Sequence, residues 1–213
     1  MLYNILRALI WGFNRLVCRY RVSGLERVPL TGPLLIVTNH LSFYDPLLLG
    51  VVLPRRIWFF TKAEIFRWPI AGIACKLTGQ IPVRRGESDR AALEQALTYL
   101  QEGKALMLFP EGTVERQEKM IPARAGASML ALRSGATILP IAHVGTRRIL
   151  RTPRNWFPRV TITIGEPFTP TLLTGVPRKV ALRHITDDIM LRIAEMLPPE
   201  NRGVYAETVE TRM

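Results

Sequence analysis

Cysteine is nearly absent from this 213-residue chain, which carries only Cys18 and Cys75. Both sit among apolar residues and neither forms a CxxC pair, so the reading is buried thiols in a reducing compartment rather than a disulfide framework or thiolate metal site. Histidine is equally sparse. His40, His143 and His184 are scattered, and no HExxH pair is present to hold a metal. Acidic residues are few as well: 17 Asp and Glu against 29 Lys and Arg leave a net charge of +12. Such an excess suits nucleic acid, anionic membrane or anionic substrates. Nucleic acid is disfavoured, because no RNP-type aromatic motif, zinc-finger spacing or basic helix with heptads accompanies the charge.

Long uncharged apolar runs are also lacking. Leu2 to Tyr20 is rich in Leu, Ile, Trp, Phe and Val, but Arg7, Arg15 and Arg19 interrupt it. A spanning helix needs roughly 20 predominantly apolar residues. A cleaved signal would need a clean apolar stretch before a small-residue site. Aromatics and aliphatics flecked with arginine instead predict a helix lying in the membrane interface.

What is present is an alternation of strand-like and helix-like segments. Leu34–Thr38, Ile57–Thr61, Gln80–Val83, Ala105–Phe109, Thr137–Val144 and Val160–Ile164 read as short apolar or β-branched strands. Helical patterns fall between them. Pro46 suits the first turn of a helix to about Leu53, with Asp45 as its N-cap. Lys62–Leu77 reads as helical with an interruption at Pro69. Ser88–Gln101 repeats Leu93, Ala96, Leu97 and Leu100 at helical spacing, and Gly103 ends it. Gly126–Arg133 and Val180–Leu197 complete the set. The expected fold is a single-domain α/β sandwich, with a mixed, largely parallel sheet flanked by helices and an N-terminal membrane-interface helix. Residues 1–22 are assigned to that helix, 23–205 to the domain and 206–213 to a C-terminal tail.

Two short segments carry the chemistry. Asn39-His40-Leu41-Ser42-Phe43-Tyr44-Asp45 follows the first strong strand. Residues five apart do not share one face of a straight helix. His40 in a turn and Asp45 at a helix start can meet, and Pro46 enforces the break. Imidazole, with an ordinary pKa of roughly 6.5, is suited to take a hydroxyl proton at neutral pH. A carboxylate on its other nitrogen fixes the tautomer and stabilises the imidazolium. Ser42 has no GxSxG elbow and is not read as a nucleophile. His143, inside a strand-like run, is read as a core histidine.

The second segment, Phe109-Pro110-Glu111-Gly112-Thr113, directly follows another strand. Its backbone N–H groups suit a phosphate or a developing oxyanion, and Glu111 suits orienting a hydroxyl or a base.

Together the NHxSxxD loop at 39–45, the stretch Gly79-Gln80-Ile81-Pro82-Val83-Arg84-Arg85 and FPEGT at 109–113 resemble the PlsC-like glycerolipid acyltransferases, specifically the 1-acylglycerol-3-phosphate (lysophosphatidate) acyltransferases. Gly24-Leu25-Glu26, Leu139-Pro140-Ile141 and Arg202-Gly203-Val204-Tyr205 agree, so the resemblance covers roughly residues 20 to 205.

The resemblance implies that His40 is the catalytic base and Asp45 its orienting partner. It implies that Arg85 and Lys62 hold the acceptor's phosphate and that Glu111, Gly112 and Thr113 shape the acceptor site. It further implies transfer of an acyl group from acyl-CoA or acyl carrier protein to the sn-2 hydroxyl of lysophosphatidate. The donor is then a co-substrate, with no cofactor or metal, and the enzyme works at the cytoplasmic face of the cell membrane. One position departs: relatives usually read EGTR, and here Val114 replaces the arginine. Either Arg116 or Arg124 supplies the guanidinium, or the acceptor is another lysolipid or a glycerol phosphate. The alternative of another class is a non-catalytic basic lipid-binding membrane protein.

Overall fold

The computed structural model describes residues 2–84, 89–115, 117–149 and 157–212. Its α-helices and strands, in chain order, are α1 Leu2–Val17, β1 Arg19–Ser23, β2 Leu34–Thr38, α2 Asp45–Val52, β3 Ile57–Lys62, α3 Pro69–Thr78, β4 Ile81–Val83, α4 Arg90–Gln101, β5 Ala105–Leu108, α5 Gly126–Ser134, β6 Thr137–Val144, β7 Arg159–Ile164, α6 Arg178–Glu195 and α7 Ala206–Arg212.

The apolar run Leu34–Thr38 becomes the middle strand because all five of its residues are buried, as both faces of a parallel sheet are covered by helices. The strand order is β1-β7-β6-β2-β5-β3-β4. Every pairing is parallel except β6 with β7, which is antiparallel. Leu35, Val37, Leu106 and Leu108 face α4, α5 and α6 on one side of the sheet. Leu34, Ile36, Ala105 and Met107 face α2 on the other. The period of two along each strand thus divides one sheet between two cores.

Three expectations are corrected at element level. The N-terminal helix stops at Val17, and Arg19 and Tyr20 enter β1, paired with β7. Lys62 ends β3 instead of beginning a helix; a 3-10 turn, Ala63–Arg67, intervenes, and α3 begins at Pro69, where a proline fits the first turn. The stretch expected as a C-terminal tail forms α7, with Val209 fully buried against the α6 side of the core.

α1 is amphipathic, with Asn4, Arg7, Asn14 and Arg15 on one side and a broad apolar face on the other. Ile5, Leu9, Trp11, Phe13 and Leu16 are exposed. On the inner side Arg7 donates to the carbonyls of Val51 and Leu53 at 3.3 and 2.7 Å, so this arginine serves the open C-terminal end of α2. Buried Asn14 accepts a hydrogen bond from the Tyr44 hydroxyl.

The C-terminal segment reaches back over the loop that follows β5. Asn201 and Val204 exchange backbone hydrogen bonds with Met120 at 3.0 and 3.2 Å, and the Ala123 N–H donates to the Tyr205 hydroxyl at 3.3 Å. Gly203 has a positive φ of 54°, and a Cβ there would collide with the Met120 carbonyl oxygen. Gly203→Ala is therefore expected to cost about 2 kcal/mol or more. A thermal melt would show a drop of about 4–8 °C, and an unchanged melting temperature would refute this close approach.

Candidate active site

β2 and β5 end side by side, with Val37 paired to Leu108, so the two motif segments leave the sheet at the same edge. The second segment closes over the first. The Phe109 ring stacks on His40 with centroids 4.0 Å apart, and the Glu115 N–H donates to the His40 carbonyl at 2.9 Å.

Asp45 is fully buried, and its environment is built from the turn that precedes it. Its Oδ2 accepts from the backbone N–H groups of Leu41 and Ser42, both at 2.8 Å. The same oxygen lies 3.0 Å from His40 Nδ1. Asp45 is thus not the N-cap expected of it. It is the first residue of α2, and Tyr44 occupies the cap without a side-chain hydrogen bond. With Nδ1 engaged, Nε2 is the ring nitrogen left for a substrate.

The other oxygen of Asp45 faces a residue that sequence reasoning had placed in the core. His143 Nε2 lies 3.2 Å from Asp45 Oδ1, a polar contact that falls short of regular hydrogen-bond geometry. β6 is longer than β2 and runs past its end. Thr38 pairs with Ile141, so His143 stands two residues farther on, beside the loop that carries His40. The Asn39 side chain fixes it there, donating to the His143 carbonyl at 2.9 Å and accepting from its N–H at 3.0 Å. Burial alone would raise the Asp45 carboxyl. The facing His143 and His40 imidazoles overcome that and hold it well below the usual carboxylate range.

His40 lines a cavity of about 250 Å³. Phe60, Val83, Leu93, Leu108 and Leu130 make much of it apolar, and Arg84 and Arg124 also line it. Arg124 lies directly over Gly112, where a Cβ would sit 3.5 Å from its Nε. Gly112 itself has a positive φ of 71°, as the turn requires. Thr113 is exposed beside it. Lys62 does not line this cavity; its ammonium lies 5.4 Å from the Phe43 ring centroid, at the rim of the His40 loop. Arg85 and Arg116 lie outside the described residues. Arg84, whose neighbour Arg85 the family resemblance favours, lines the cavity.

Glu111 is buried, and neither carboxylate oxygen has a hydrogen-bond partner of regular geometry among the described residues. Burial pushes its carboxyl up to about 8; the His40 backbone N–H draws it down, and the Glu115 and Asp45 carboxylates add to the rise.

An α/β sheet that presents a buried carboxylate–imidazole pair at the edge of an apolar, arginine-flanked cavity defines a class of sites suited to proton removal from a hydroxyl. Comparison with known proteins gives that class its family. The profile described as Acyltransferase matches residues 19–144, and the chain belongs to that family. It is 36% identical, over 179 residues, to the lyso-ornithine lipid O-acyltransferase of Pseudomonas aeruginosa, a match covering 84% of this chain and 58% of that protein. It is also 36% identical, over 126 residues, to mouse 1-acyl-sn-glycerol-3-phosphate acyltransferase alpha, covering 58% of this chain and 44% of the relative. The chain thus spans less than two thirds of the length of either relative. The fold matches the crystal structure of the 1-acyl-sn-glycerophosphate acyltransferase PlsC from Thermotoga maritima with a TM-score of 0.71 at 23% identity, over 98% of this chain and 78% of that one. The mixed, mostly parallel sheet expected from the sequence is the sheet found.

The raised Glu111 carboxyl has a consequence for stability. Between its ordinary 4.5 and about 8 the folded chain keeps a proton that the unfolded chain has released. Stability therefore falls as pH rises through that window, by up to about 1.4 kcal/mol per pH unit from this group. Glu111→Gln should remove that part of the slope. Denaturant unfolding of both proteins from about pH 5 to about pH 8 checks it, and parallel curves would refute it.

Proposed function

We propose that this protein is an acyltransferase that moves a fatty acyl group from a thioester, acyl-CoA or acyl carrier protein, to the sn-2 hydroxyl of lysophosphatidate, giving phosphatidate. The observation that carries the reading is the His40–Asp45 pair at 3.0 Å on the wall of the arginine-flanked cavity.

In this reading Asp45 accepts from the Nδ1–H of His40 and leaves Nε2 as the base. Nε2 takes the hydroxyl proton as the hydroxyl oxygen bonds to the thioester carbonyl carbon. The tetrahedral intermediate then breaks its C–S bond, and the proton on His40 passes to the departing sulfur. Such a base contributes about 10²–10⁴ in rate, and holding the two substrates together supplies much of the remainder. The chemistry uses no metal or cofactor. Arg124 and Arg84 are the groups for the acceptor's phosphate, with Lys62 at the rim; Arg124 supplies the guanidinium that Val114 does not. Gly112 and Thr113 offer the turn, and Glu111 precedes them as a buried carboxyl.

A second reading concerns the acceptor alone. Val114 interrupts the usual phosphate-binding block, and the P. aeruginosa relative is named for an acceptor other than lysophosphatidate. Another lysolipid would keep the same chemistry.

The lipid substrate places the enzyme at a membrane surface, in this reading the cytoplasmic face. Among the described residues no helix is long and apolar enough to cross a membrane. The exposed apolar residues of α1, joined by Trp68, Ile70, Ile73 and Leu77 around α3, suit insertion into the interface of an anionic bilayer, as the positive net charge also does.

Two experiments test these statements. With labelled acyl-CoA or acyl carrier protein and a panel of lysolipids, His40→Ala should lower kcat about 10²–10⁴-fold, and Arg124→Ala should raise the KM for lysophosphatidate about 10-fold or more. Undiminished transfer by His40→Ala would refute the base. Turnover only with a phosphate-free lysolipid would establish the second reading. In vesicle co-sedimentation, the double variant Leu9→Asp and Leu16→Asp should weaken binding at least about 10-fold; unchanged binding would remove α1 from the membrane contact.

A further inference from the structure

We propose that His143 is a positioning residue for acyl transfer, holding the Asp45 carboxylate from the side opposite His40. The inference deepens the reading given under Proposed function and rests on it for its functional meaning.

The two oxygens of Asp45 are served very differently. Oδ2 has three donors, from His40, Leu41 and Ser42. Oδ1 is buried, has no regular hydrogen bond, and lies 3.2 Å from the His143 Nε2. A carboxylate oxygen can only accept, so the matching form of His143 carries its proton on Nε2. Its Nδ1 lies 3.1 Å from the Thr38 hydroxyl, which donates to the neutral ring or accepts from the protonated one. Thr38 and His143 are fully buried, so bulk water does not reach this chain of groups.

The placement is fixed twice over. Asn39, the residue immediately before His40, clamps the His143 backbone through both its amide nitrogen and its oxygen. The imidazole on β6 and the imidazole after β2 are therefore held to one carboxylate by one short piece of chain. Three donors on Oδ2 resist rotation about the Cβ–Cγ bond, and the His143 contact on Oδ1 opposes the same rotation from the other side. Gripped on both oxygens, the carboxylate presents Oδ2 to His40 in a single orientation, and so keeps the His40 ring aimed with Nε2 toward the cavity.

The titratable groups facing Asp45 are His143 on β6, His40 after β2 and, acting over a longer distance, Glu111 after β5. Neighbouring Tyr44 turns its hydroxyl to Asn14. Removing the His143 donor leaves a buried, half-paired carboxylate, whose ionised form is then harder to keep.

The test needs a readout that does not depend on turnover. The chain has four aspartates, Asp45, Asp89, Asp187 and Asp188, and Asp45 is the buried one. Carbon-13 labelling of aspartate follows its carboxyl through an acid titration. In His143→Leu, Asp45 should titrate at least about one pH unit higher than in the wild type. His143→Gln, which keeps a donor, should recover most of that shift. Thr38→Val, which removes the partner of Nδ1 while keeping the side-chain shape, should move Asp45 in the same direction by less, and it carries the test if His143→Leu does not fold. The kcat should fall in His143→Leu with the KM for the acceptor unchanged.

An Asp45 titration unmoved in both His143→Leu and Thr38→Val would overturn the proposal. Equal shifts in the Leu and Gln variants would also overturn it, since loss of packing alone would then account for the effect. Failure of the wild type to acylate any acceptor would instead sink the acyltransferase reading, while the Asp45 titration would still report on His143.

Discussion

A carboxylate with no exposed surface must be compensated where it stands, and the surroundings of Asp45 are organised by that requirement. Two backbone N–H groups of a tight turn and one imidazole converge on a single oxygen. The turn bends because those N–H groups point at the carboxylate, and Pro46 keeps α2 from extending backward to straighten it. The orientation of His40 is thus a by-product of solving an electrostatic problem. Phe109 then closes the exposed face of the ring, and Glu115 ties down its backbone.

The rest of the site follows from where the strands end. Parallel neighbours with matched registers deliver both motif loops to one edge of the sheet. The loop after β5 has little regular structure of its own, and the C-terminal residues supply what it lacks. Met120 and Ala123 are hydrogen-bonded to the 201–205 segment, and Arg124 is tied to the Pro110 carbonyl at 2.9 Å. The cavity arginine is thereby anchored from both directions along the chain.

Much of this was legible in the sequence, for identifiable reasons. The buried strands announce themselves through unbroken apolar runs such as LLIVT and ALML. The His40–Asp45 contact follows from their spacing and from Pro46, all of it local. His143 was not legible, because its place beside Asp45 depends on β6 overrunning β2 across a register that no local pattern encodes. The end of α1 was misjudged for a related reason. Arg19–Ser23 alternates between exposed and half-buried residues at a sheet edge, and β7, which it pairs with, lies far along the chain. Arg7 carries the same lesson in reverse: an arginine that interrupts the apolar run of an interface-type helix is turned inward, onto a helix end.

That inward turn ties the mechanics of the molecule together. α1 holds α2 at both extremities, through Asn14 and Tyr44 where α2 begins and through Arg7 where it ends. Between those two attachments lies a rod of eight residues, roughly 12 Å long. Its first residue is Asp45, and a helix that short has no joint along which to yield. A displacement of α1 therefore reaches the carboxylate through α2. The exposed apolar face of α1 and the fully buried carboxylate are thus joined through one short helix.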